Sequence, residues 1–222
     1  MTADSFRPGT FVDAGRFAGD HWRLLGDKTL EHLALSGVAL AIALVLALPL
    51  GLWLGHRHRG SFLAISISNA GRALPSLVLI AVGLSILGFG FWNNVAALVV
   101  LAIPPILTNA YLGIDGIDRD VVEAARGMGL TERQVLTQVE LPLALPLVFA
   151  GIRIAAIFVI ATATIAAIAG GGGLGEIIVN QASYGLAGVV AASLTVSALA
   201  FAAAFGLAAL RRAVSPHVPA SE

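Results

Sequence analysis

Charge is scarce in the apolar part of this chain, and one polar island interrupts it. Glu123-Ala124-Ala125-Arg126-Gly127-Met128-Gly129 is followed, after nine intervening residues, by Val139-Glu140-Leu141-Pro142, with long apolar runs on either side. A single carboxylate among small residues and glycines holds no acid–base pair and no nucleophile with a base. Its chemistry is that of a docking surface: a short helix with small side chains, a turn, and a return into apolar sequence. No other constellation does better. The five histidines, His21, His32, His56, His58 and His217, are scattered, and Glu176 has no carboxylate near it in sequence. His56-Arg57-His58-Arg59 reads as a basic membrane anchor, so no metal site is expected. Gly170–Gly175 satisfies G-x-G-x-x-G formally, but no strand precedes it and no Lys-Ser/Thr follows, which excludes both dinucleotide and Walker-type phosphate binding.

The elements that carry this island are set by composition. Of 222 residues, 58% are hydrophobic and only 12% charged, and the mean hydropathy of +0.90 lies outside the soluble range. Thirteen basic residues balance thirteen acidic ones, so nothing supplies the basic footprint of a nucleic-acid binder. Cysteine is absent, which removes disulfides, thiolate ligands and Cys nucleophiles. Residues 1–30 carry eight charges from Asp4 to Lys28 and no apolar h-region, so the first apolar run is expected to stay as the insertion signal.

Apolar runs predict membrane helices at about 32–54, 61–87, 94–112, 145–169 and 187–210, giving an all-α membrane protein of five spans, or six if the second region divides. Arg72 and Pro75 interrupt that region. Because the two pieces would each be too short to cross, one long helix kinked at Pro75 is expected. Arg57, Arg59, Arg119, Arg126, Arg133, Arg211 and Arg212 fall on one side of a five-span chain, which places the island and C-terminus in the cytoplasm and the N-terminus outside. The chain divides into an outer tail (1–31), with an interfacial helix or a solvated segment at 16–31, a membrane domain (32–212, with the loop at 115–142) and a cytoplasmic tail (213–222).

Within the island, Asp120 with Glu123 has capping-box spacing, and Thr131 with Gln134 repeats it. Val121, Ala125 and Met128 share a helical stripe, and Gly127 and Gly129 suit the reversal. These features fit a docking loop and equally an amphipathic loop lying on the membrane. The spacing decides between them. It closely resembles the EAA loop of ABC importer permeases, with Val139 where that family often has Ile. The resemblance implies a type I importer permease fold of methionine-permease kind, and assigns Glu123, Ala124, Ala125, Gly127, Met128, Gly129, Leu141 and Pro142 to coupling with a separate ATPase. It further implies an extracytoplasmic solute-binding protein, a second permease copy or paralogue, and a prokaryotic inner membrane. ATP would bind only on the partner, and this chain would hold no cofactor and catalyse nothing.

Arg72-Ala73-Leu74-Pro75-Ser76-Leu77, Asn109-Ala110-Tyr111-Leu112-Gly113-Ile114 and Gly171-Gly172-Gly173-Leu174-Gly175 resemble the osmoprotectant branch, which carries glycine betaine, choline and carnitine. Methionine and other amino-acid permeases share part of this pattern and are the alternative; a secondary transporter would be expected to show intramembrane carboxylates. Ser68, Asn69, Arg72 and Ser76 form one polar stripe, either lining the translocation path or satisfying carbonyls freed at Pro75. Gly171, Gly172, Gly173 and Gly175 form an outer glycine turn, read either as a hinge or, through the resemblance, as a contact for the binding protein or an outer gate.

Overall fold

The computed structural model describes residues 9–58, 62, 66, 67 and 75–214, and all their regular structure is helical. In chain order the elements are α1 (Thr10–Asp20), α2 (Trp22–His56), α3 (Ser76–Leu87), α4 (Phe91–Asp115), α5 (Arg119–Gly127), α6 (Glu132–Ala169), α7 (Leu174–Val179) and α8 (Gln181–Val214). Among the described residues α2, α4, α6 and α8, at 35, 25, 38 and 34 residues, are long and apolar enough to cross a bilayer. They contain four of the five expected spans.

The second expected span differs. Pro75 is extended (φ −64°, ψ 129°) and stands outside α3, which begins at Ser76. Helix therefore does not run through Pro75, correcting the kinked-helix expectation. Proline has no N–H for a helical bond and its ring crowds the preceding turn, so a helix more readily begins beside it than runs through it. At 12 residues α3 is too short to cross alone. Ser68, Asn69 and Arg72 lie outside the described residues.

The N-terminal boundary also moves. The helix expected to start near 32 starts at Trp22, and the helix before it is Thr10–Asp20 rather than 16–31. Charges that read as a solvated tail are partnered across the fold: Lys28 Nζ donates to Glu31 (2.9 Å) and Glu176 (2.6 Å), and the Gly173 N–H donates to Glu31 (2.9 Å).

The residues pack into two compact units. Among the described residues one comprises 9–40, 75–99 and 157–202, the other 41–58, 100–156 and 203–214. In the first, Ile80, Ala97 and Ala169 form a core, and Asn93 donates to the Ile80 carbonyl (3.3 Å). The glycine turn is built against this unit: Gly173 has φ +71°, and a Cβ there would stand 3.1 Å from His32 Cα. Gly173 thus meets both a left-handed backbone and a close approach, a tightly packed turn rather than a loose one.

In the second unit small residues bring helices together. A Cβ on Gly51 would meet the Leu107 carbonyl at 2.7 Å, and one on Gly113 would meet Ala144 at 3.2 Å. Ala110, Ile114, Ala144 and Val148 fill the resulting seam. Such close approach is how helices associate where no hydrophobic effect drives them. Elsewhere large apolar side chains face outward, Val45 at 73% exposed and Phe205 at 72%, as suits a hydrocarbon surround.

Gly55→Leu should disrupt this seam, because its Cβ would lie 2.7 Å from Ile114 Cβ. A loss of about 1–3 kcal/mol is expected from overpacking, read as a lower melting temperature of the detergent-purified protein. Gly37→Ala, with nothing within 4 Å, should melt at or above the parent.

Candidate functional site

The island folds as a helix, a turn and a helix that continues as α6. Asp118 caps α5, its carboxylate accepting from the Asp120 N–H at 3.0 Å; the cap expected at Asp120 with Glu123 is therefore displaced by two residues. Asp120 remains in the first turn, where a carboxylate complements the helix dipole. The second capping pair is as expected: Thr131 and Gln134 form a reciprocal capping box, with the Thr131 N–H donating to Gln134 Oε1 at 2.8 Å. Between them Gly129 takes φ +88°, its N–H bonded to the Arg126 carbonyl (2.9 Å). A left-handed backbone is needed there to reverse the chain, which explains the glycine.

The faces of α5 are now fixed. Val122 and Ala125 are buried against Val135, with Ile117, Leu130 and Val139 around them. Val121 (43% exposed) and Met128 (74%) face out, together with Ala124 and Glu123. The expected stripe Val121–Ala125–Met128 is thus corrected: Ala125 packs inward, and the exposed apolar line is Val121, Ala124 and Met128. These stand at i, i+3 and i+7, one face of a helix. Gly127 ends α5 and is exposed, while Leu141 is half-buried and Pro142 exposed.

After Gln134 the backbone widens into a π-helix, Val135–Glu140, with the Leu141 N–H reaching back to the Leu136 carbonyl. Pro142 accounts for it. Proline offers no N–H to the preceding turn and its ring crowds the carbonyl four residues back. A wider turn just ahead accommodates both.

Glu140 sits in that turn with no exposed surface. Its Oε2 lies 2.6 Å from His56 Nδ1, while its Oε1 has no partner. His56 Nε2 lies 3.3 Å from Glu132, and Glu132 accepts two hydrogen bonds from Arg126, each 2.9 Å. Those bonds, with Glu132's charge, raise the Arg126 pKa further above its high ordinary value. Both ring nitrogens of His56 thus face carboxylate oxygens. Two residues along, His58 Nδ1 meets Asp115 at 2.9 Å. The basic-anchor reading of His56 and His58 is corrected: both turn to carboxylates of α4 and α6. The pairs are 84 and 57 residues apart, and no local pattern announces them.

Of the other expected site residues, Ser76 opens α3 and is half-buried. Gly171, Gly172, Gly173 and Gly175 lie together at the turn into α7, which meets Glu31 of α2 through the Gly173 N–H. Asn109 and Thr164 bond their own helices, through the Pro105 and Ala161 carbonyls.

Residues 47–216 match the family described as the binding-protein-dependent transport system inner membrane component. The chain belongs to that family. Among its relatives, the choline transport system permease protein OpuBB of Bacillus subtilis is 36% identical over 85% of this chain and 88% of that protein. The glycine betaine/carnitine/choline permease OpuCB of the same organism matches at 36% with the same coverage. Among solved structures, the inward-facing MetNI methionine ABC transporter aligns with a TM-score of 0.73 at 25% identity, covering 87% of this chain and 97% of that one. The all-helical permease fold expected from the resemblance is thereby established. This permease is a membrane transport subunit, and the buried Glu140–His56 pair is the part of it that sequence reasoning missed.

Removing His56 leaves Glu140 buried with no partner at either oxygen, whereas removing Glu140 leaves His56 its contact with Glu132. His56→Leu should therefore destabilise the permease more than Glu140→Leu, by about 1–3 kcal/mol, whereas the double Leu variant should recover most of it. Melting temperatures of the four purified proteins measure the coupling, and additive losses would contradict it.

Proposed function

We propose that the chain is the permease subunit of an ATP-driven importer for a quaternary-ammonium osmoprotectant (glycine betaine, choline or carnitine) handed over by an extracytoplasmic binding protein. The observation that carries the coupling reading is the exposed apolar line Val121, Ala124 and Met128, held on a helix whose opposite face is packed and whose turn is capped. Such a face fits a groove on a soluble partner. Glu123 and Gly129 border it. ATP binds and is hydrolysed on that partner, and this chain supplies no cofactor site.

The substrate class is supported by 36% identity to choline and glycine betaine permeases, against 25% to the methionine transporter structure. Quaternary ammonium ions favour aromatic cages, and only 7% of this chain is aromatic, so recognition belongs to the binding protein.

The mechanism follows from the network around His56. Closure of two ATPase subunits presses on α5 in each of two permease copies. Arg126 passes the load to Glu132, and His56 and Glu140 pass it to the end of α2 and the start of α6. A capped, ion-paired assembly moves as a body instead of bending. The basic loops put this assembly in the cytoplasm, with the N-terminus and the Gly171–Gly175 turn outside, where that turn meets the binding protein.

Ala124→Asp should leave membrane abundance unchanged, because Ala124 is exposed, while removing ATPase co-purification and lowering uptake of labelled glycine betaine, choline and carnitine on the order of ten-fold. Ala125→Asp, at a buried position, should instead lower abundance. Uptake of labelled methionine that depends on this chain would reverse the substrate assignment. Normal ATPase recovery with Ala124→Asp would falsify the docking face.

A further inference from the structure

A cavity of about 240 Å³ opens between α6 and α8. Pro146 and Phe149 of α6 and Leu207 and Ala208 of α8 give it an apolar floor, and Arg153 and Arg211 stand at its wall. Among the described residues no carboxylate lies within ion-pair distance of either arginine, although acids pair elsewhere with Arg16, Lys28 and Arg126. Arg153 is flanked by Ile152 and Ile154 in a helix apolar enough to cross the membrane. A guanidinium there without an anion is expensive.

We infer that this cavity is a binding site for the headgroup phosphate of an anionic phospholipid. The guanidinium is planar, always charged and presents its N–H groups as a fork that matches phosphate oxygens. Two of them converging on one hollow supply the recognition, and basic pockets between membrane helices are suited to phosphate headgroups. The floor takes the glycerol and the first methylenes of the acyl chains. Exposed apolar residues on the same two helices, Leu147, Ile154, Phe205 and Leu210, provide the surface along which those chains lie. A soluble anion would use the arginines but gain nothing from that floor, which is why the lipid is favoured. The lipid joins the middle of α6 to the C-terminal part of α8, where no protein ion pair among the described residues does so. Neither arginine belongs to the coupling network.

The test is native mass spectrometry of the intact importer complex, purified with its ATPase and stripped of loose lipid. Cardiolipin, phosphatidylglycerol and phosphatidylcholine are then titrated as probes. The wild type should retain cardiolipin or phosphatidylglycerol over phosphatidylcholine by on the order of ten-fold. Arg153→Gln with Arg211→Gln should abolish that preference, while Arg153→Lys with Arg211→Lys, which keeps both charges, should retain most of it and shows that the fold survives change at these positions. Excess inorganic phosphate should not displace the lipid. Equal retention by the Gln variant, no preference over phosphatidylcholine, full displacement by inorganic phosphate, or a cavity covered by another subunit so that no lipid is retained would each overturn the assignment.

Discussion

Glu140 is a carboxylate with no solvent contact, placed where α6 opens from its π-helical turn. A buried carboxyl group is costly unless it is hydrogen-bonded. His56 is its partner at 2.6 Å, and to meet it the end of α2 must lie against the start of α6. Small residues bring both helices to α4, since Gly51 and Gly55 of α2 approach Leu107 and Ile114, and Gly113 approaches Ala144 of α6. His56 also faces Glu132, so the same imidazole fixes the first turn of α6 and, through Arg126, the end of α5. One ionic contact thus determines how the island is carried.

This arrangement explains why the segment is stiff enough to act as a lever. A loop exposed to solvent would dissipate a push in backbone rotation. Here the reversal at Gly129 is closed by the Thr131–Gln134 box, the inner face is packed on Val135, and Glu132 is held from both sides. The π-turn forced by Pro142 places Glu140 on the inner surface, where an α-helical register would rotate it toward the other face. Unequal burial along α5 then leaves Val121, Ala124 and Met128 as the exposed apolar line.

The sequence disclosed what is local. Four of the expected spans, the glycine reversal and the Thr131–Gln134 cap all rest on neighbouring residues; the reversal and the cap are where capping chemistry put them, and the spans fall inside longer helices. Errors of register came where two solutions were equally local. Asp118 and Asp120 both suit a cap, and the shift between them exchanges Val121 for Val122 on the buried face. Long-range pairing was illegible. Lys28 and Glu31 look like a solvated tail until Glu176 and the Gly173 N–H, over 140 residues away, are brought beside them. His56 and Glu140 look like surface charges for the same reason. At Pro75 a long apolar run suggested continuity, and the steric demand of proline won.

The central claim is that the outer line of α5 is where the ATPase engages. A photo-reactive residue placed singly at 121, 124 or 128, and at exposed Phe205 of α8 as a reference, measures this in the assembled importer. The account predicts covalent ATPase adducts from all three α5 positions and none from 205. An assembled complex that yields no ATPase adduct from 121, 124 or 128, or as much from 205, would contradict it.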